Sequence, residues 1–515
     1  MNMDEKKWAD FLKESHSRGI CSLSDKAKKA AKIKPRINDI KENHPVKDLP
    51  YVTFDDFENE HRRIQNYIFQ QKIDEYTTKP KAKLPEKFDV LKCIEYILDN
   101  GVSVAKFDDG IIIYQPTNGV WYFLGSKIGQ RILNSNIPKE VMEKFNLEKC
   151  KKIYESIDIY PNLEVRTVEP DPDRKFLLNF LDGVYDSRTG EIFPHSPDYM
   201  FFYCIQAKAS DIADNYNSPL LQSYLKNSLG NDKSKIATLQ EILGVAISTI
   251  RDQKIAFFLL GKSNSGKSVI INVMEQLLKG FVSNVSFAQL NGKFAPSLLL
   301  GKWLNTSGEM SDLSDNRIQT FKNVVGNDGI MTSFKGKDGF TLRNNALLVF
   351  GVNEMPSVSK IDQAYFNRLR ILSYDVSVPK EKWVDDLAKR LYCEETGYVL
   401  RFAIDGLLHF IKNGMDLTYK ETSNNLVKNY QFTCNSFIEF TNVSIRFSPG
   451  RKLKSKDIRS AYERYCKRNG VKVLAANLCS TILKELFDTE GTTIGHSDDK
   501  GYTNLVLICD HSDNE

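Results

Sequence analysis

The chain has 515 residues, 41% of them hydrophobic and 27% charged, with a net charge of +5. This length is too great for one core, so three or four domains are expected, and the composition excludes a fibrous or disordered chain. The small positive balance does not by itself mark a nucleic-acid partner; only local basic clusters could do so.

In chain order, residues 1–86 form a polar region. MNMDEKKWADFLKESH lacks an apolar signal region. SDKAKKAAKIKPR (Ser24–Arg36) carries five lysines and an arginine with no acid after Asp25. It reads equally as a solvated helix end or as an arm for a phosphate backbone. TTKPKAKLPEK (Thr77–Lys87) reads as a linker. Residues 87–209 alternate strand and helix patterns, with a hairpin of Ile111–Tyr114 and Val120–Leu124 around a Pro/Asn/Gly turn. FLLNFLDGVYDSRTGEIFPHSPDY predicts a second compact β element, and 219–250 predicts helix, with Leu239, Ile242, Leu243, Ala246 and Ile247 on one face.

KIAFFLLGKSNSGKSVIINVMEQLL (Lys254–Leu278) then joins a continuous apolar strand to an amphipathic helix through Gly261, Lys262, Ser263, Asn264, Ser265, Gly266, Lys267 and Ser268. The spacing is G-x-x-x-x-G-K-S. Glycines let backbone N–H groups close around phosphate oxygens, and the helix N-terminus adds positive potential. Lys267 is expected to reach the β- and γ-phosphates and the Ser268 hydroxyl to ligate Mg²⁺, which makes this an NTP site.

Further on come KFAPSLLLGKWLNTSGEMSD, FKNVVGNDGIMTSFKGKDGFTLRNNALLVFGVNEMPSV and DQAYFNRLRILSYD, all between Lys293 and Asp375. With the phosphate loop, they make the sequence resemble the superfamily 3 helicases. More narrowly, it resembles the helicase part of phage, plasmid and poxvirus-type primase–helicases. The resemblance spans about 90–515 and is most specific over 254–374.

That resemblance implies roles for individual residues. Glu309, after the short strand Trp303–Ser307, stands at the Walker B acid, holding the Mg²⁺ shell and orienting the attacking water. WLNTSGE is more polar than the usual aliphatic run and carries one acid, with Asp312 a weaker second. Asn353, ending ALLVFGVN, matches the sensor that contacts the γ-phosphate or the lytic water. Arg368 is the arginine finger acting on a neighbouring subunit's nucleotide, with Arg370 the alternative. Lys335 and Lys337, at a turn between Phe334 and Phe340, match the channel hairpin that grips single-stranded DNA. Lys322 fits a lysine of the pattern without a derivable role.

Helical periodicity resumes over 379–430. SKDIRSAYERYCKRNG, AANLCSTILKELF and TTIGHSDDKGYTNLVLI come next as helix, helix and hairpin, the order of a winged helix over 431–515. Arg451, Lys452, Lys454, Lys456 and Arg459 suit duplex phosphates, whereas Asp498 and Asp499 oppose them, so DNA and protein both remain open as its partner.

The expected fold class is α/β: an AAA+ type P-loop core with a parallel sheet over 251–378. A small α/β domain (87–209) and a helical collar (210–250) precede it, and the winged helix comes after it. The expected function is an ATP- and Mg²⁺-dependent DNA helicase. It would be a homo-hexameric ring moving 3′ to 5′ on single-stranded DNA, in replication of a phage, plasmid or mobile island. The alternative is an initiator that binds origin duplex DNA and melts it or loads another helicase, working with other replication proteins. Residues 1–86 lack the carboxylate pattern of an archaeo-eukaryotic primase, so a helicase without its own primase is expected. Nine scattered cysteines without C-x-x-C or zinc-ligand spacing imply reduced thiols. No stretch approaches the roughly 20 apolar residues that span a bilayer. The expected location is the cytoplasm of a bacterial host cell, with no membrane partner.

Overall fold

The computed structural model describes residues 82–508 except 109, 158, 169–170, 309–314, 337–338, 357, 359–361, 472, 488–495 and 498–499. The expected basic arm lies outside the described residues. The described residues belong to one compact unit.

The unit opens with helix α1 (Val90–Asp99), capped by the Asp89 carboxylate accepting from the N–H groups of Leu91 and Lys92. Strands β1 (Val104–Phe107), β2 (Gly110–Gln115), β3 (Val120–Phe123) and β4 (Glu164–Val165) pair in the order β3-β2-β1-β4. The predicted hairpin is β2–β3, with Tyr114 opposite Trp121. Alternation serves both faces of this sheet. Ile111 and Ile113 pack with α1 and the helices α2 (Lys127–Asn136), α3 (Lys139–Lys144) and α4 (Leu147–Ile157), while Ile112 and Tyr114 face the main core. The second β element is an antiparallel meander of β5 (Leu177–Phe180), β6 (Gly183–Asp186) and β7 (Ile192–Phe193).

The helical stretch predicted over 219–250 is two helices, α5 (Pro219–Leu229) and α6 (Lys233–Ile247). Gly230 ends α5 in the left-handed conformation, and Asp232 caps α6 by accepting from Ser234 and Lys235 N–H groups. The five apolar residues expected on one face of α6 are buried, but so are Thr238, Gln240, Glu241, Gly244 and Val245. Glu241 is satisfied inside the core by the N–H of Thr418, at 3.0 and 3.1 Å from its two oxygens.

A five-stranded parallel sheet forms the centre. It contains β8 (Ala256–Gly261), β9 (Val282–Ser283), β10 (Leu304–Ser307), β13 (Leu347–Val352) and β14 (Leu369–Tyr374), ordered β14-β8-β13-β10-β9. Both faces are covered, which is why β8 and β13 read as unbroken apolar runs. Phe257, Leu259, Val349 and Tyr374 pack into the core shared with α6 and with α7 (Lys267–Leu277), α11 (Leu387–Glu394) and α12 (Thr396–Lys412). Ala256, Phe258, Leu348, Phe350 and Ile371 face the opposite core, with α8 (Phe287–Leu290) and α9 (Asp315–Gly326).

Helices α6 and α12 cross at backbone contact. A Cβ on Gly406 would lie 2.1 Å from both the backbone carbon and oxygen of Gln240. In an ordinary helix interior Gly→Ala gains about 1 kcal/mol. Here the crossing reverses the sign, and Gly406→Ala is expected to lose about 1–3 kcal/mol, read as a lower denaturation midpoint.

Helix α13 (Lys420–Ser444, 25 residues) leads directly into the C-terminal module. The boundary expected at 430/431 falls inside it: Tyr430 and Cys434 belong to the core beside the parallel sheet, and Phe437 and Phe440 to the C-terminal core. That module has β15 (Ile445–Lys454), α14 (Ser455–Asn469), α15 (Ala476–Phe487), β16 (His496–Ser497) and β17 (Gly501–Leu507), with the sheet order β15-β17-β16. The predicted helix, helix and hairpin are therefore present around Tyr462, whose hydroxyl lies 2.6 Å from Ser436 Oγ on α13.

Candidate functional site

The carboxyl ends of β8, β13 and β14 meet at one end of the sheet, with Gly261 beside Tyr374 and Leu260 beside Val352. The loop from Lys262 to Gly266 leaves that end and enters α7. Gly266 has φ +97°, and a Cβ there would lie 2.2 Å from Ser228 Oγ on α5. The position therefore needs glycine for both conformation and space.

The loop's oxygens are taken up from behind. Lys267 Nζ donates to Gly261 O (2.6 Å), Lys262 O (2.8 Å) and Ser265 Oγ (3.3 Å). The Tyr224 hydroxyl donates to Gly266 O at 3.2 Å, and the Ser377 hydroxyl to Ser263 O at 3.2 Å. Val378 N–H donates to Asn264 O at 2.8 Å. With carbonyls engaged on this side, the loop and the first turn of α7 can offer N–H groups to an anion. Burial lowers the Lys267 pKa from the ordinary lysine value. Ser268, the next residue on α7, is exposed and supplies a hard oxygen donor of the kind Mg²⁺ takes.

Asn353 follows β13 and reaches the same point. Its Oδ1 accepts from Lys267 Nζ at 3.2 Å, and its Nδ2 donates to Ser263 Oγ at 3.5 Å. The structure thus brings Asn353 and Lys267 together. Glu309 and Asp312 lie outside the described residues. The polar character of WLNTSGE has a tertiary cause. Buried Asn305 accepts from Ser283 Oγ (2.8 Å) and Val285 N–H (2.9 Å), tying β10 to β9 and the segment after it. Thr306 donates to Glu275 on α7.

The two arginines are at the amino end of these strands. Arg370 pairs in register with Phe257 and Leu369 with Ala256, so both lie near the start of β8. Five residue steps along the strand separate Ala256 from Gly261, roughly 16 Å, farther than an arginine side chain reaches. Arg370 is also engaged: its Nε donates to Asp416 Oδ1 at 3.1 Å and its Nη1 to Asn367 O at 3.1 Å. Arg368 Nη1 donates to Ala364 O at 2.7 Å.

Strands β11 (Ile330–Ser333) and β12 (Gly339–Leu342) form the predicted antiparallel hairpin. Phe334 stacks on Phe340, with ring centroids 5.3 Å apart, which firms the base of the tip. Lys335 is exposed, and Lys337 lies outside the described residues. Lys322 acquires a structural role as the partner of Asp362 at 2.6 Å. Burial alone would raise the Asp362 pKa; the Lys322 ammonium and the Tyr365 and Ala364 N–H groups outweigh it and hold the pKa low. In the C-terminal module Arg451, Lys452, Lys454 and Lys456 are exposed. Arg459 is occupied by Glu463 (2.7 Å) and the Leu474 carbonyl (2.6 Å), which takes it out of the expected basic edge. Asp498 and Asp499 lie outside the described residues.

Sequence reading missed the groups behind the loop. Glu395 accepts from the Ser218 hydroxyl and from the N–H groups of Leu220 and Leu221, the latter two at 3.0 Å, so it caps α5 from a distant segment. Helix α5 carries Tyr224 and Ser228 against the loop. No local signal marks these residues, because their partners lie far along the chain.

Residues 105–229 match the family described as D5 N terminal like, and residues 259–368 match a family of unknown function (DUF5906). The first match bears out the resemblance to the phage-type primase–helicases, a family of replication proteins. The chain is also similar to solved apo structures of the NrS-1 C terminal region. One, an A form, has 12% identity over 82% of this chain and 100% of that one, with a TM-score of 0.41. A second has 13% identity over the same shares, also at 0.41. This likeness is too loose for residue-by-residue correspondence. No curated protein matches the chain. Among the described residues no helix is long and apolar enough to cross a membrane, and no His, Cys, Asp and Glu side chains cluster as a metal site.

Proposed function

We propose that the chain is an ATP-driven DNA helicase for replication of a phage, plasmid or mobile island in a bacterial cytoplasm. The parallel sheet would be an AAA+ core of superfamily 3 type, acting as a hexameric ring that travels 3′ to 5′. One observation carries the reading. Lys267 and Asn353 converge on the loop at the carboxyl end of the parallel strands, while Arg368 sits at their amino end, beyond reach of its own loop. A nucleotide at the loop would then be completed by a second copy. ATP would lie with its phosphates on the loop N–H groups and Lys267, and Asn353 would contact the γ-phosphate or the water. Mg²⁺ would be held by the Ser268 hydroxyl, with Glu309 supplying the carboxylate. When bound, Mg²⁺ neutralises charge on the β- and γ-oxygens during transfer. The β11–β12 hairpin, with Lys335, Lys337 and Phe334, would track the strand in the channel. Strand displacement on a forked DNA, with ATP and purified chain, tests the reading. No separation under any nucleotide condition would refute it.

A second reading, an initiator binding origin duplex, is favoured by the C-terminal module alone. Its order of elements is that of a winged helix, and Arg451, Lys452, Lys454 and Lys456 lie exposed in sequence proximity. Each lost phosphate contact lowers duplex affinity and its salt dependence. Lys452→Glu with Lys454→Glu should therefore cut duplex binding about 10-fold or more at low salt and spare ATP hydrolysis. Unchanged binding would leave the module to protein partners.

A further inference from the structure

The segment after β14 does more than close the sheet. Asp375 pairs with Lys235 on α6, and Ser377 and Val378 bond to the Ser263 and Asn264 carbonyls of the loop. The same strap holds a tryptophan. The indole N–H of Trp383 donates to the Val378 carbonyl at 2.9 Å, so the ring is fixed to the residue that is itself bonded to the loop. Yet Trp383 is 50% exposed and Val376 49%, whereas Trp121 and Trp303 are 2% and 5% exposed. A tryptophan buries far more apolar surface than most side chains when it has the chance. One held in a fixed pose with half its surface in water, beside an anion-binding loop, is suited to a flat apolar ligand group.

We infer that Trp383 is the stacking platform for the purine base of the nucleotide, with Val376 on the flank of the base pocket. This rests on the reading of the loop as a nucleotide site and adds the feature that distinguishes a nucleoside triphosphate from inorganic triphosphate. The loop takes phosphates, which every nucleotide shares, and the strap takes the base. The indole N–H is spent on Val378 O, so the contact is stacking and supplies no hydrogen-bond code. The site therefore accepts purines as a class, ATP and GTP both, and holds pyrimidine nucleotides less well because their rings are smaller.

The test is calorimetric binding of ATP and of inorganic tripolyphosphate to the full chain and its variants. Trp383→Ala should weaken ATP roughly 5- to 100-fold, the range of base–aromatic stacking, and leave tripolyphosphate unchanged. Trp383→Phe should restore most of the ATP affinity. Trp383→Ala binding ATP as tightly as wild type, while Lys267→Ala binds neither ligand, overturns the platform and leaves the nucleotide site standing. Equal loss of both ligands in Trp383→Ala overturns it too, since the indole would then only brace the loop. Loss of single-stranded DNA binding with ATP affinity intact assigns the ring to nucleic acid instead. Failure of the wild-type chain to bind either ligand removes the nucleotide reading itself.

Discussion

Lys267→Ala is expected to bring ATP hydrolysis and strand displacement down to background while the chain stays folded. Its ammonium meets Gly261 O, Lys262 O and Asn353 Oδ1 within 3.2 Å, which holds the charge at the loop before any ligand arrives. At a partly dry site a preorganised donor to developing phosphate charge is worth about 10²–10³ in turnover. The cost to the fold is smaller. Gly261 and Lys262 are not fully buried, so water can replace the lost donor, and the change should stay within about 1–3 kcal/mol. Phosphate release and thermal melting on the same sample separate the two effects. The pH dependence has a definite sign. Only the ammonium form binds phosphate, and burial lowers the Lys267 pKa. Triphosphate affinity should therefore fall as pH rises through a value below the ordinary lysine pKa of about 10.4. Turnover within a few-fold of wild type in Lys267→Ala would sink the motor reading.

Arg368→Ala is expected to be as inactive, by about 10³–10⁵ if the guanidinium completes a neighbour's site. The distinguishing result comes from mixing. A Lys267→Ala subunit still carries Arg368, and an Arg368→Ala subunit still carries an intact loop. Where the second meets the first in the right order, one whole site is rebuilt, so the mixture should regain activity that neither variant has alone. An arginine serving its own loop would give no such recovery. The register places that role out of reach, since Leu369 lies opposite Ala256 at the far end of β8. Arg370, bound to Asp416, is the contrasting control: its replacement should show mainly as lost stability, because Asp416 would keep only Lys420 as a charged partner.

Much of this was legible locally. The loop's residues are contiguous, and the apolar run before it and the helical period after it needed no distant partner to be read. The β2–β3 and β11–β12 hairpins are also local, the first turn marked by Pro, Asn and Gly and the second by Gly and Asp. Asn353 could be placed because a buried parallel strand ends where its apolar run ends. The break at Gly230–Asp232 was equally local in its chemistry, but the apolar periodicity on either side concealed it. Other features were set by residues far apart in sequence. Tyr224 reaches Gly266 across 42 positions, Arg370 reaches Asp416 across 46, and Glu395 caps α5 across 177. The burial of α6 on every side depends on α12 crossing it at Gly406, and the polar strand β10 is accounted for by what Asn305 holds. A chain pattern reports which face of an element is apolar and where it turns. Which distant polar group satisfies a buried carbonyl or charge depends on how the elements pack together, and only the tertiary structure decides that.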